Sequence, residues 1–121
     1  MKIAYIAHPV SGDIAGNIEK ILAIVKRINL ERTDVVPFAP YIMDLLCLDD
    51  NDPEQRTRGI SNDIAILRSG LVDELWIYGP KITGGMQAEI DLAWELNIPV
   101  LVMDPATVVP IGKRFLMNIG Y

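Results

Sequence analysis

A single α/β domain wound on both faces of a parallel sheet is the fold this sequence predicts, and three observations predict it. Short apolar runs at 2–7, 74–78 and 98–103 have the length and composition of buried strands. The segments between them carry apolar residues at helical spacing. Strands that alternate with helices pair in parallel through right-handed crossovers, which gives four or five strands in a chain of 121 residues.

The first run, Lys-Ile-Ala-Tyr-Ile-Ala, ends at His8-Pro9 and reads as a buried first strand, with a loop at 10–13 after it. From Ile14 to about Leu30, the residues Ile14, Ile18, Ile21, Leu22, Val25 and Ile28 mark one face of a helix. Thr33 to Pro37 predicts a brief second strand, and Pro37 and Pro40 predict irregular backbone beyond it. Residues 41–48 suit a short helix. Asp52 is placed to cap the next helix, which runs to about Ser69 with Ile60, Ile64 and Leu67 facing inward. A third strand covers 74–78 and closes on Gly79-Pro80. The helix containing Glu89 follows, and then a fourth strand at 98–103. The tail from Asp104, with Pro105, Pro110 and Gly112, reads as loop or a short addition. The outline is flavodoxin-like, with ligands expected outside the carboxyl ends of the strands.

Composition excludes several function classes. The net charge of −5 and the scattered basic residues speak against a nucleic-acid polymer as partner. Nothing approaches the roughly 20 apolar residues needed to span a bilayer, and Met1-Lys2 leads into a strand rather than a signal peptide. No membrane partner is expected. The single cysteine, Cys47, fits a reducing cytoplasm, and its leucine neighbours suggest a core thiol. No Cys/His cluster suggests a zinc site.

Chemistry centres on the stretch "TGGMQAEIDLAWEL" at 83–96. On a helical wheel Met86, Ile90, Ala93 and Trp94 define the inward arc, while Asp91 and Glu95 lie opposite as solvated charges. Glu89 falls on the shoulder, beside Ala93 and Leu96. A carboxylate there is favoured by the helix start yet partly desolvated, which suits a nucleophile or base. On the wheel alone, the plainer account of a partly exposed carboxylate near a helix start holds a slight edge. The preceding helix repeats the pattern: Asp63 sits on its shoulder and Asn62 points away. Paired acids are the minimal equipment for displacement at a sugar carbon. Thr83, Gly84 and Gly85 offer backbone to a ligand beside Glu89, and Ser11 and Gly12 form a second candidate anion loop. Neither loop has dinucleotide or P-loop spacing. His8 ends the first strand at the ligand edge, Tyr5 lies two residues inside it, and Met86 is near enough to touch a ligand.

Three stretches in this order, "KIAYIAHPVSG", "SNDIAILRSGLVDELWIYGP" and "TGGMQAEIDLAWELNIPVLV", resemble the nucleoside 2-deoxyribosyltransferase superfamily, which includes deoxynucleoside 5′-monophosphate N-glycosidases. The resemblance is closest to an uncharacterised small bacterial and phage branch, and it covers about residues 2–103, with 104–121 as an extension. It implies that Glu89 is the nucleophile that forms a glycosyl-enzyme ester, that Tyr5 orients it, and that Asp63 contacts the nucleoside and assists the leaving base. It further implies that Ser11 and Gly12 help bind sugar or phosphate. The ligand would be a nucleoside or nucleotide, the assembly a homodimer or larger, and no metal or organic cofactor would be called for. A nucleotide-binding or sensing protein without turnover, or a purely structural domain, are the other classes that remain open.

Overall fold

The computed structural model describes residues 1–121, the side chains of Arg114 and Phe115 excepted. Five strands form one sheet in the order β2-β1-β3-β4-β5: β1 is Lys2–Ala7, β2 Val35–Phe38, β3 Glu74–Ile77, β4 Val100–Val102 and β5 Asn118–Ile119. Every pairing is parallel. This is the flavodoxin-like order. The helices are α1 Ile14–Glu31, α2 Tyr41–Cys47, α3 Pro53–Arg68 and α4 Gly84–Glu95, and a 3-10 helix at Ile111–Leu116 leads into β5. Among the described residues no helix is long and apolar enough to cross a membrane.

Successive residues of a strand point to opposite faces, so β1 feeds two cores. Tyr5 and Ala7 join Leu67, Leu75, Ile77, Met86, Ile90 and Ala93 beneath α3 and α4. Ala4 and Ile6 join Ile28, Val35, Trp76 and Tyr78 on the other side. β1 is an interior strand, hydrogen-bonded on both edges, so its carboxyl end is firmly placed.

Side chains cap the helices as polar residues at helix starts do. Asp13 accepts from the amide of Gly16 at 3.1 Å, Asp52 from that of Glu54 at 3.0 Å, and Thr83 from that of Met86 at 3.3 Å.

Several expectations are corrected. Pro37 lies inside β2 rather than ending it, because β2 is an edge strand where a missing donor is tolerated. The tail, in contrast, is the short addition of the two alternatives expected: it supplies β5 as the fifth strand and braces the end of β3. Thr107 Oγ1 donates to the carbonyl of Gly79, and the amide of Val108 donates to Pro80 at 2.9 Å. At Gly79 itself φ is +96°, and a Cβ would meet Cδ of Pro9 at 2.5 Å, so only glycine fits. On α1, Leu22 is exposed, and Asn17 is buried in the inward stripe with its Nδ2 donating to the carbonyl of Val10 at 3.0 Å. Cys47 is exposed rather than a core thiol, since the short α2 buries Tyr41 and turns Leu46 and Cys47 outward. Ile60 and Ile64 do not reach the core; they are 49 % and 41 % exposed, because the space between α2, α3 and α4 stays open as a cavity.

The contrast generates a stability test. Ile77→Ala, at a fully buried position, is expected to cost about 2–5 kcal/mol, read as a lower urea midpoint with an unchanged denaturant slope. Ile60→Ala is expected to stay within about 0.5 kcal/mol of wild type. Equal losses would mean that the cavity is closed in solution.

Candidate active site

A cavity of about 630 Å³ opens at the carboxyl end of β1, walled by α2, α3 and the start of α4. Its lining is mostly apolar, with Leu45, Leu48, Ile60, Ile64 and Leu92 among its walls, and a few polar groups converge on it. That composition is typical of a small-molecule site.

Of the residues singled out in the sequence, Glu89, Asp63, His8, Ser11, Thr83, Gly84, Gly85 and Met86 all line the cavity. Gly12 does not; it turns away at φ +94° on the exposed loop. Tyr5 stands behind the wall, fully buried. Gly84 and Gly85 belong to the first turn of α4 rather than to a loop. The first amides of a helix have no intrahelical acceptor, so these two face the cavity as free donors. A Cβ at either glycine would meet nothing within 4 Å, so their lack of a side chain leaves room without relieving any clash.

Glu89 sits in the second turn of α4, partly buried, with its carboxyl group in the cavity wall. Burial dominates its chemistry and pushes its pKa up from 4.5 to about 8. The Tyr5 hydroxyl pulls the other way by donating toward Glu89, and the charge of Asp63 adds to the rise. The Tyr5 hydroxyl does not complete a hydrogen bond, however; it is a buried polar atom without a satisfied partner. The hydroxyl's own pKa is raised by burial first and by the charges of Glu89 and Asp63 next.

Asp63, one helix away, is also partly buried, and its pKa rises from 3.8 to about 7 through desolvation and then the charge of Asp44. Its Oδ1 has no hydrogen-bond partner. An unsatisfied buried carboxyl oxygen is costly, and it is tolerated most readily where a ligand supplies the missing bond.

His8 borders the cavity, but its Nδ1 is engaged with the carbonyl of Pro9 at 2.7 Å. Burial lowers its pKa, and the charges it feels are Lys20 and Asp104 rather than the carboxyl pair. At the mouth stand Arg56, bridged to Asp50 at 3.6 Å, and Arg68, bridged to Glu95 at 3.6 Å. Asp91 and Glu95 are solvent-facing, as the wheel suggested.

Sequence reasoning missed Tyr41 and Asp44. Tyr41 heads α2, lines the cavity, donates its hydroxyl to the carbonyl of Ile6 and lies 5.9 Å from the Tyr5 ring between centroids. Asp44 accepts from Nδ2 of Asn62 at 3.2 Å, so Asn62 turns toward α2 instead of pointing away. A seven-residue helix has too short a period to reveal its inner face, and that is why these two were not legible. Among the described residues no group of three or more His, Cys, Asp or Glu side chains could hold a metal ion.

The raised pKa of Glu89 has a sign that can be checked. The folded chain keeps this proton up to about pH 8, whereas the unfolded chain releases it near 4.5. Its contribution to stability is therefore fully present below the lower value and is lost as pH rises through the upper one. Glu89→Gln cannot lose a proton. Its Tm is expected to overtake that of wild type with rising pH, by about 4 °C or more at pH 9. A difference that stays constant from pH 5 to pH 9 would show that Glu89 is an ordinary exposed carboxylate.

No curated protein matches the sequence. Residues 2–103, which hold every strand except β5 and all the cavity-lining residues, match the family described as "Domain of unknown function (DUF7768)", and the chain belongs to that family.

Proposed function

We propose that the protein cleaves or exchanges the N-glycosidic bond of a nucleoside, a deoxynucleoside or a 5′-monophosphate of either, with Glu89 as nucleophile. The observation that carries this reading is the pair of carboxyl groups on adjacent helices, Glu89 and Asp63, facing one cavity with proton affinities shifted toward neutrality. Pairs of acids whose environments hold them near the working pH are the equipment of glycoside chemistry. The resemblance of the sequence to the nucleoside 2-deoxyribosyltransferase superfamily points to the same two residues.

The steps balance with the groups at hand. An ionised oxygen of Glu89 attacks the anomeric carbon as the carbon–nitrogen bond breaks. The bonding pair leaves with the base nitrogen, which takes the proton of Asp63. The result is a glycosyl ester on Glu89 and a carboxylate at Asp63. Water, or a second base, then attacks the same carbon, and Asp63 recovers a proton as the ester bond returns its electrons to Glu89. Apolar walls such as Ile60, Ile64 and Leu45 suit the faces of a planar base. The free amides of Gly84 and Gly85 suit sugar hydroxyls or phosphate oxygens.

One observation favours a second reading, a nucleotide-binding or sensing protein without turnover. With its pKa pushed up to about 8 by burial, Glu89 is mostly protonated at neutral pH and can serve as a hydrogen-bond donor to a ligand. Incubation with a panel of nucleosides, deoxynucleosides and 5′-monophosphates, followed by chromatography for free base, separates the two. Release of base that falls at least about a thousandfold in Glu89→Gln supports the nucleophile. Thermal protection by a panel member with no release supports sensing. Where turnover occurs, the rate is expected to follow a bell centred between about 7 and about 8, because the active pair holds one proton between Asp63 and Glu89. A flat profile from pH 6 to pH 9 would remove the pair from the reaction.

A further inference from the structure

The polar groups that the cavity leaves open to a ligand sort by wall. On the α4 side they are donors: the amides of Gly84 and Gly85, joined by the hydroxyl of Ser11. On the α2 and α3 side the donors are engaged. The Tyr41 hydroxyl donates to the carbonyl of Ile6, and Gln55 donates through Nε2 to Asp52 at 2.9 Å. Arg56 and Arg68 stand half-exposed at the mouth, each beside a carboxylate partner. What this wall offers a ligand is acceptor capacity, at Asp44 and Asp63.

Asp44 is a fixed acceptor rather than a free surface charge. It reaches the cavity from α2, and Nδ2 of Asn62 on α3 donates to its Oδ1 at 3.2 Å. That bond occupies Oδ1 and leaves Oδ2. Beside it stands Gly59, buried within α3 and also lining the cavity. A Cβ there would lie 3.5 Å from the Asp44 Cβ and 3.9 Å from Oδ2, which are ordinary contacts. Packing therefore does not demand glycine at a position where glycine weakens a helix. Its consequence is that no side chain at 59 covers Oδ2. On the same wall, the buried Oδ1 of Asp63 has no hydrogen-bond partner.

Apolar side chains such as Leu45, Ile60 and Ile64 suit the faces of a base, so it is the edge of the base that meets these acceptors. Adenine and cytosine carry an amino group there, with N–H bonds to donate, whereas hypoxanthine and uracil carry a carbonyl oxygen at the same position. A carbonyl set against a carboxylate gives up its bond to water and gains none in return. We propose that Asp44, fixed by Asn62, reads the base, and that the cavity selects nucleosides of amino-bearing bases, adenine or cytosine, over their oxo counterparts, hypoxanthine and uracil. This rests on the reading of the cavity as a nucleoside site. Asp44 sets specificity; the reacting atoms stay with Glu89 and Asp63.

The experiment compares matched pairs on the full chain, 2′-deoxyadenosine with 2′-deoxyinosine and 2′-deoxycytidine with 2′-deoxyuridine, by chromatography of the released base. In whichever pair is cleaved, wild type is expected to favour the amino member by about tenfold or more in kcat/KM. Asp44→Asn sharpens the test. Asn62 still needs an acceptor, and the new amide has a single oxygen to give it, so the amide NH2 is left to the cavity. A donor then stands where the acceptor stood, and the preference is expected to vanish or to pass to the oxo member. Equal rates for the two members in wild type overturn the proposal and leave the glycosidic reading standing, and so does a folded Asp44→Asn chain that keeps the wild-type preference. If that variant does not fold, the nucleoside without the exocyclic group, purine or 2-pyrimidinone 2′-deoxyriboside, takes its place. Its cleavage is expected to fall well below that of the amino member, and equal cleavage overturns the proposal. Should wild type release no base from either pair, the glycosidic reading fails, and thermal protection by the same four nucleosides decides. Stronger protection by the amino members supports base reading by Asp44; equal protection, or none, overturns it.

Discussion

The site depends on keeping water away from carboxyl groups that ordinarily demand it. Desolvation is the first cause of the upward shift at both Glu89 and Asp63, ahead of any charge. The rest of the architecture supplies that condition. An interior strand fixed on both edges carries Tyr5 near Glu89, three helices wall a mostly apolar cavity, and Thr83 caps the start of the helix that bears Glu89. Isolated charges in such a setting would be expensive. Burial instead raises the proton affinity of both groups toward neutrality.

Unsatisfied groups mark the same place. Within the described side chains, the buried polar atoms without partners include the Tyr5 hydroxyl and Asp63 Oδ1, and both groups act on the proton affinity of Glu89. Folding has left bonding capacity unspent where the cavity walls converge. A third, Trp94 Nε1, lies on α4 and does not line the cavity. Of these, Asp63 lines the cavity, where a ligand's polar group can complete what the protein leaves open.

Much of this was legible in the sequence, for identifiable reasons. Apolar runs bounded by Gly-Pro or His-Pro gave β1 and β3 to within a residue, and long helices such as α1 and α3 were readable from their period. Glu89 and Asp63 stood out because each breaks an apolar arc at its shoulder. What stayed hidden was whatever tertiary packing decides. Ile60 and Ile64 looked like core because a wheel cannot distinguish a cavity from a packed interior. Asp44 and Tyr41 lie on a helix of two turns, too short for periodicity to speak. The two-residue β5 carries almost no pattern, and it exists because β4 offers a free edge.

The brace between the tail and the end of β3 places a tolerance on the chemistry. Thr107 and Val108 grip the backbone at Gly79 and Pro80, and only two residues separate Pro80 from the Thr83 cap of α4. The origin of the helix that bears Glu89 is thus surveyed from a point beyond residue 103, where the family match ends. Reaction geometry in such sites is sensitive at the scale of an ångström. On the proposed reading, the segment outside the shared domain bears on where Glu89 stands while contributing, among the described residues, none to the cavity lining.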